Sequence, residues 1–474
     1  KRSTPGQRPK GVHLARLETL NIFGVNAGYM ATFKEYLKEE GVTTSDEMIQ
    51  LDFETRSNLP KSKLKTLALK DGYKDNQVKG FKRTHFPWLY EVPAEFAGKI
   101  KQAHIDLDLY PKIEAMSTQD KASNVTVANI RNIGKIASDT MALFDFDRIY
   151  LAVQEFKLLR SWSNLRLDRS RLMDFCLKRD DWYTLYIPQA ELIIRNIADI
   201  GKQEDILIRL LQDYTDRFYK SLKTAYEGQF YDIVNVKEED DSLLKVYHFE
   251  IDNDEDGEEY EKKLKVLQSL VKDGKLGEAS QWNAGQMAAI CFDHHLYYPL
   301  FAIEGDVPLK MRPLAFDAPG EVQFVRDLEA FYKSLLGQAI IGKRSLYLLR
   351  NADTKAKGLG FALAGNFYPD FLLWLVDDKT GEQWLNFVDP KGLRQMSLND
   401  PKLGLYKEVK VLQKKLADPK LTLNAFIVSG TQFASLLNVT CEQTDLEERN
   451  VLFMPDGGPV YLKKMFERME SVIV

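Results

Sequence analysis

At 474 residues with 44% hydrophobic content, the chain has an ordinary globular make-up and is too long for one core, so about two to four domains are expected. Cys176, Cys291 and Cys441 lie far apart without C-x-x-C spacing, which excludes a disulfide framework and a zinc ribbon, and no apolar run approaches the ~20 residues that cross a bilayer. With no secretory signal pattern the chain is expected in the cytoplasm, and its net charge of −4 leaves nucleic acid open as a partner because local fields outweigh totals.

Residues 46–120 read as a mixed connector without an assignable motif. Residues 121–310 read as a mainly helical connector, since apolar residues such as Ile193, Ile197, Ile200 and Ile206, Leu210, Tyr214, Phe218 recur at helical spacing. Within it Arg160, Arg166, Arg169, Arg171, Lys178 and Arg179 interleave with Trp162, Phe175 and Trp182. Such a mixture grips nucleic acid through phosphates and stacking, or else forms a wet helix face over a core. Residues 252–263, DNDEDGEEYEKK, begin like a calcium loop, but Lys263 stands where a bidentate glutamate is needed, so 237–263 reads as an acidic exposed hairpin or linker. The six histidines, among them the adjacent His294 and His295, show no metal spacing, and no G-x-S-x-G elbow occurs.

The region 311–474 carries the chemistry. Val322, Val325, Leu328, Tyr332 and Leu335 predict an amphipathic helix over 320–336, opened by Pro319–Gly320 and closed by Gly337, with a strand over 345–349 behind it. Then comes FYPDFLLWLVDDKTGEQWLNFVDPKG, 367–392. Its run 371–376 is long and bulky enough for a strand buried on both faces, 377–381 reverses the chain, and 384–388 is a second strand leading into Asp389, Pro390 and Lys391. A helix over 405–416 and a strand over 421–429 follow.

Asp370 and Asp389 thereby fall at neighbouring strand ends. Phosphodiester hydrolysis needs a hard divalent cation and an activated water, and carboxylates hold Mg²⁺ while leaving waters in its shell. Asp370 and Asp389 are the expected ligands, the Pro390 carbonyl a further one, and Lys391, two residues on and therefore on the same side, orients the water. Two other Asp-Pro-Lys triplets, at Asp400 and Asp418, follow a polar loop and a helix and lack this setting. The other reading is a pair of plain strand-end acids. Lys343, Arg344, Arg350, Lys355 and Lys357 make the entry to the second strand basic; Arg350, Lys343 and Lys355 are candidate nucleic-acid contacts, or a solvated loop.

The order helix, strand, strand, strand, helix, strand resembles the core of PD-(D/E)XK nucleases. The segments GEVQFVRDLEAFY, SLYLLRN, GFALAGNFYPDFLLWLV and WLNFVDPKGLR resemble more closely the C-terminal endonuclease domain of type III restriction enzyme Res subunits and related helicase–nucleases. The resemblance maps the family's Pro-Asp onto Pro369–Asp370 and its acid-x-Lys onto Asp389 and Lys391, with aspartate where many relatives have glutamate. It also implies an acid on the first helix, best matched by Glu321 as catalytic and metal residue, with Glu329 as the fallback. Residues 15–42 are similar to the segment after the helicase core, implying a strand over 20–23 and a helix over 29–39 within a remnant 1–45. No Walker A motif or DEAD/DEAH box is present, so the chain reads as the C-terminal part of a longer protein without its motor.

What the resemblance implies is an α/β nuclease domain behind a largely helical connector, cutting DNA with Mg²⁺ or Mn²⁺ in restriction or anti-phage defence. Its implied partners are DNA, the helicase/ATPase portion, and a methyltransferase or other specificity subunit. Exonuclease-type members add a Q-x-x-x-Y, and Gln413 is followed at that distance by Ala417, which favours endonuclease action. The reading from another class is a non-catalytic nuclease-like module that docks a partner or holds DNA; RNA as the substrate also stays open.

Overall fold

The computed structural model describes residues 48–75, 77–100, 103–110, 131–316, 318–351, 368–393, 400–437, 439 and 441–470. The elements expected within 1–45, and Lys355 and Lys357, lie outside them. The fold is mixed α/β, and among the described residues no helix is long and apolar enough to cross a membrane.

Strand Lys65–Leu69 pairs antiparallel with Tyr231–Asn235, from Lys65 opposite Asn235 to Leu69 opposite Tyr231. Residues 70–230 are therefore an insertion between two paired strands, not the front of a connector running to 310. The insertion has its own core, built on the 31-residue helix Ile197–Glu227, whose Leu207, Leu210, Leu211, Tyr214, Phe218 and Leu222 are buried. Ile193 and Ile197, read as part of that packed stripe, are 53% and 85% exposed because the helix starts only after the Asn196 cap. Trp162, Phe175 and Trp182 are buried in the same core, while Arg160 pairs with Asp216, Arg169 with Asp147, Arg171 with Glu91 and Arg179 with Asp181. No aromatic face of these three is left for a base, so the wet helix face is the reading that holds.

The acidic stretch is also not a linker. Val246–Ile251 is the middle strand of an antiparallel sheet between Ile49–Glu54 and Leu309–Arg312, and it buries Tyr247, Phe249 and Ile251. Helix Glu255–Lys272 follows, its first turn holding Glu255, Asp256 and Glu258 where the helix dipole favours negative charge, with Asp254 Oδ1 accepting from the Gly257 amide at 2.8 Å. Residues 237–263 are read from sequence as solvated because their acids dominate; the alternating buried residues decide the strand.

The last part of the chain is a five-stranded sheet, order β1-β2-β3-β4-β5: β1 Ser345–Arg350, β2 Phe371–Val376, β3 Gln383–Lys391, β4 Leu421–Ser429 and β5 Val451–Phe453. The first three strands are antiparallel and the last three parallel. Helix α1, Pro319–Lys333, precedes the sheet with the short α2, Leu335–Ile341; α3, Leu405–Leu416, makes the β3–β4 crossover, and α4, Gly458–Glu470, packs on α1. All six β2 residues are buried, as a central strand requires. The predicted helix over 320–336 ends at Lys333 because Ser334 is extended and caps α2, its Oγ accepting from the Gly337 amide at 3.0 Å. Gly337 is no stop signal: a Cβ there would come 1.9 Å from the Phe331 carbonyl oxygen, so glycine lets α2 fold back on α1.

This sheet shares one core with the sheet through Val246–Ile251. The exposed side of β1 is covered by residues 294–296, where the Leu348 amide donates to the His294 carbonyl and the Leu296 amide to the Leu348 carbonyl.

Candidate functional site

The β2–β3 register pairs Phe371 with Val388, so one step further Asp370 stands across from Asp389. Directly opposite side chains on antiparallel strands are close neighbours, and these two carboxyls come within hydrogen-bonding reach. Burial, then the charge of Asp389 and the hydrogen bond to it, push the Asp370 carboxyl up to about 8; Glu321 adds to the rise and Lys391 opposes it. Without a cation the Asp370 carboxyl therefore holds a proton at neutral pH.

Asp389 is fully buried. Lys391 Nζ stands 3.1 Å from its Oδ1 and Lys402 Nζ 3.4 Å from its Oδ2. Asp389 Oδ1 is thus a fully buried oxygen whose near neighbour is the Lys391 ammonium. Burial acts on Lys391 to lower its pKa, but Asp389 and Asp370 outweigh it and hold the ammonium above its ordinary value. At Lys402 burial wins, helped by Lys391, and the pKa lies below its ordinary value despite Asp389.

The Pro390 carbonyl faces the same end of the sheet. The Gly430 amide donates to the Lys391 carbonyl, so that carbonyl points to β4 and, by alternation, the one before it points to β2. Continuing the register, the residue across from Pro390 is Pro369, which has no N–H to give.

Glu321 lies in the first turn of α1, 3% exposed, with its Oε2 3.0 Å from an Arg350 guanidinium nitrogen. Arg350 ends β1, is 4% exposed, and donates to the carbonyls of Ala315, Asn351 and Asp370 at 3.1, 2.9 and 3.3 Å. Its amide donates at 2.8 Å to Nε2 of His295, whose Nδ1 bonds the Tyr297 carbonyl and whose burial pushes its pKa down to about 4. Asn351 fixes the same turn: its amide donates to the Asp370 carbonyl at 2.8 Å and its Nδ2 to the Pro369 carbonyl at 3.0 Å.

The expected residues thus separate. Asp370, Asp389, Lys391, the Pro390 carbonyl and Glu321 come together. Glu329 does not: it pairs with Lys333 at 2.6 Å, two turns or about 12 Å along α1 from Glu321. Arg350, expected as a phosphate contact, is instead a buried clamp paired with Glu321 and donating to three carbonyls. Lys343 is exposed but precedes the opposite end of β1, roughly 20 Å away at strand rise, too far to touch a phosphate beside the acids.

Sequence reading missed Asn351 and Lys402. The signal for Lys402 was the Asp400 triplet, set aside as polar loop: Asp400 Oδ1 accepts from the Lys402 amide at 2.9 Å and Pro401 opens a 3₁₀ turn, a helix-start signature. That turn returns the chain over the C-terminal end of β3, where ligands of open α/β sheets gather.

Among the described residues no group of three or more His, Cys, Asp and Glu side chains is placed to hold a metal ion, which agrees with Glu321 being turned to Arg350. What remains is two carboxylates and a carbonyl, an all-oxygen set. It suits a hard cation that keeps several of its waters, Mg²⁺ or Mn²⁺. Comparisons of the chain with protein-family models, with curated proteins and with solved structures each gave no match.

Proposed function

We propose that residues 311–474 are a PD-(D/E)XK-type nuclease domain that hydrolyses DNA with Mg²⁺ or Mn²⁺ as an endonuclease. The observation that carries this reading is the meeting of Asp370 and Asp389 at adjacent strand ends with Lys391 3.1 Å from Asp389, on a sheet whose elements run helix, strand, strand, strand, helix, strand. A bound divalent cation would supply Lewis-acid polarisation of a phosphate oxygen and a more acidic water. Asp370, Asp389 and the Pro390 carbonyl would hold it, and Glu321, oriented by Arg350, adds negative charge behind the acids. Lys391, half-exposed on the same side as Asp389, orients the attacking water and offsets charge developing on the phosphate. A helicase/ATPase portion as partner, a methyltransferase or other specificity subunit, and a defence role in the cytoplasm belong to the same proposal.

The test is cleavage of linear and supercoiled DNA by the chain in Mg²⁺ or Mn²⁺, against EDTA and Lys391→Ala. Metal-dependent nicking or cutting that Lys391→Ala lowers by about 10²-fold or more is expected. Cutting of RNA alone would change the substrate; metal-independent DNA binding without cutting would replace the enzyme by a non-catalytic module.

Metal binding should release a proton. Below about pH 8 the cation must displace the Asp370 proton, so its affinity should fall about tenfold per pH unit as pH drops from there toward the ordinary carboxylate range. The linked stability has a defined sign: a carboxyl raised on folding binds more protons in the native state, so the metal-free protein loses this contribution as pH rises toward 8. Mg²⁺ should therefore raise the unfolding midpoint more at pH 8 than at pH 6 at equal concentration, and calorimetric titration in buffers of different ionisation enthalpy counts the proton. A pH-independent affinity would mean that the cation does not displace the Asp370 proton.

A further inference from the structure

We infer that Lys402 is a second phosphate-contacting residue of this centre, placed over the end of β3 by the Asp400–Pro401–Lys402 turn and seated beside Lys391 at the Asp389 carboxylate. The inference rests on the nuclease reading and extends it to a residue outside the acid-x-Lys motif.

Position comes first. Lys402 and Lys391 approach different oxygens of one carboxylate, 3.4 and 3.1 Å away, from the turn before α3 and from the end of β3. The backbone of the turn is held by the Asp400 carboxyl on the Lys402 amide, by the Leu403 amide on the Asp400 carbonyl at 3.0 Å, and by burial of the Leu403 side chain beside Leu393, Ile427 and Leu436. Its side chain is 31% exposed and that of Lys391 39%, so both ammoniums reach the mouth of a site whose acids are buried.

Charge gives the second step. Ionised, Asp370, Asp389 and Glu321 balance Arg350, Lys391 and Lys402. A divalent cation on the carboxylates leaves an excess of two positive charges and weakens the hold of Asp389 on both ammoniums. An anion at the mouth restores balance, and a phosphodiester with its attacking hydroxide carries two negative charges. Arg350 is buried against Glu321, so among the described residues of this centre the two half-exposed lysines are placed to meet that anion. Lys391 orients the water, and Lys402, beside it at the Asp389 carboxylate, takes a phosphate oxygen.

A purely structural Lys402 would neutralise Asp389 and touch no DNA, and salt dependence separates the two. Binding of a short fluorescent duplex to the full chain is measured by anisotropy in Ca²⁺ across a salt series, for the parent, Lys402→Gln and Lys402→Arg. One lost phosphate contact lowers the slope of log affinity against log salt by about 0.9, and weakens binding about eightfold at 0.1 M salt. Lys402→Gln should show both changes and Lys402→Arg neither. A slope unchanged in Lys402→Gln, or changed equally in Lys402→Arg, overturns the inference. Cleavage in Mg²⁺ by the same proteins keeps the two proposals apart: Lys391-dependent cutting with an unchanged Lys402→Gln slope refutes Lys402 alone. A lowered slope without cutting refutes the nuclease and leaves the phosphate contact; no DNA binding by the parent refutes both.

Discussion

Asp389→Asn is expected to lower metal-dependent DNA cleavage by about 10³-fold, at the upper end of what single electrostatic groups contribute to catalysis. The substitution is nearly isosteric, so the fully buried position stays filled and packing against β4 is kept. What changes is charge. Asparagine offers the cation one neutral oxygen where two anionic ones stood, and it leaves Lys391 and Lys402 without the carboxylate that draws both ammoniums to one place. It also removes the charge that helps hold the Asp370 proton, so Asp370 should ionise at lower pH than in the parent, with a direction opposite to the loss of activity. Single-turnover cleavage in saturating Mg²⁺, with carboxyl titration by NMR as the second readout, checks both. Parent-like cleavage by Asp389→Asn would mean that the cation sits elsewhere.

Much of this site was legible because its strands have no competing interpretation. The run 371–376, and the helix and strand over 405–416 and 421–429, appear with the bounds that periodicity assigns. β3 runs on to Lys391, past the expected end at 388, because Pro390 needs no ladder donor where it faces Pro369. Lys391 is thus on a strand, which is why alternation returned it to the side of Asp389.

The misread residues share a cause: a charge in sequence does not reveal its partner. Arg350 looked like part of a basic loop, but Glu321, 29 positions earlier, and three carbonyls draw it inside. For the arginines between 160 and 179, where the sequence left a nucleic-acid surface open beside a wet helix face, Asp216, Asp147 and Glu91, on other elements, pair with Arg160, Arg169 and Arg171. Lys402 was set aside for the converse reason, since local context called it loop and only the turn geometry carries it to Asp389. The insertion of 70–230 was hidden because a two-stranded ladder closed across such a distance leaves no local mark.

Arg350→Ala should destabilise the protein by about 3–5 kcal/mol, the range for removing one partner of a buried ion pair. Both side chains of the pair are 5% exposed, so Glu321 would be left buried without its guanidinium, and the carbonyls of Ala315, Asn351 and Asp370 would each lose a donor. Replacing both members by apolar residues, Arg350→Met with Glu321→Leu, removes the stranded charge and should recover most of the stability, since a buried pair holds little net energy over a packed apolar one. Urea unfolding of the parent, the single variant and the double variant forms that comparison, with unchanged m-values marking the same folded state. Cleavage should not recover with stability, because the double variant lacks Glu321 and the bond from Arg350 that steadies the Asp370 carbonyl. Recovery of both would make the pair a packing element only; an Arg350→Ala protein as stable as the parent would show that the guanidinium does not hold the turn, and that Asn351 alone fixes Asp370 across from Asp389.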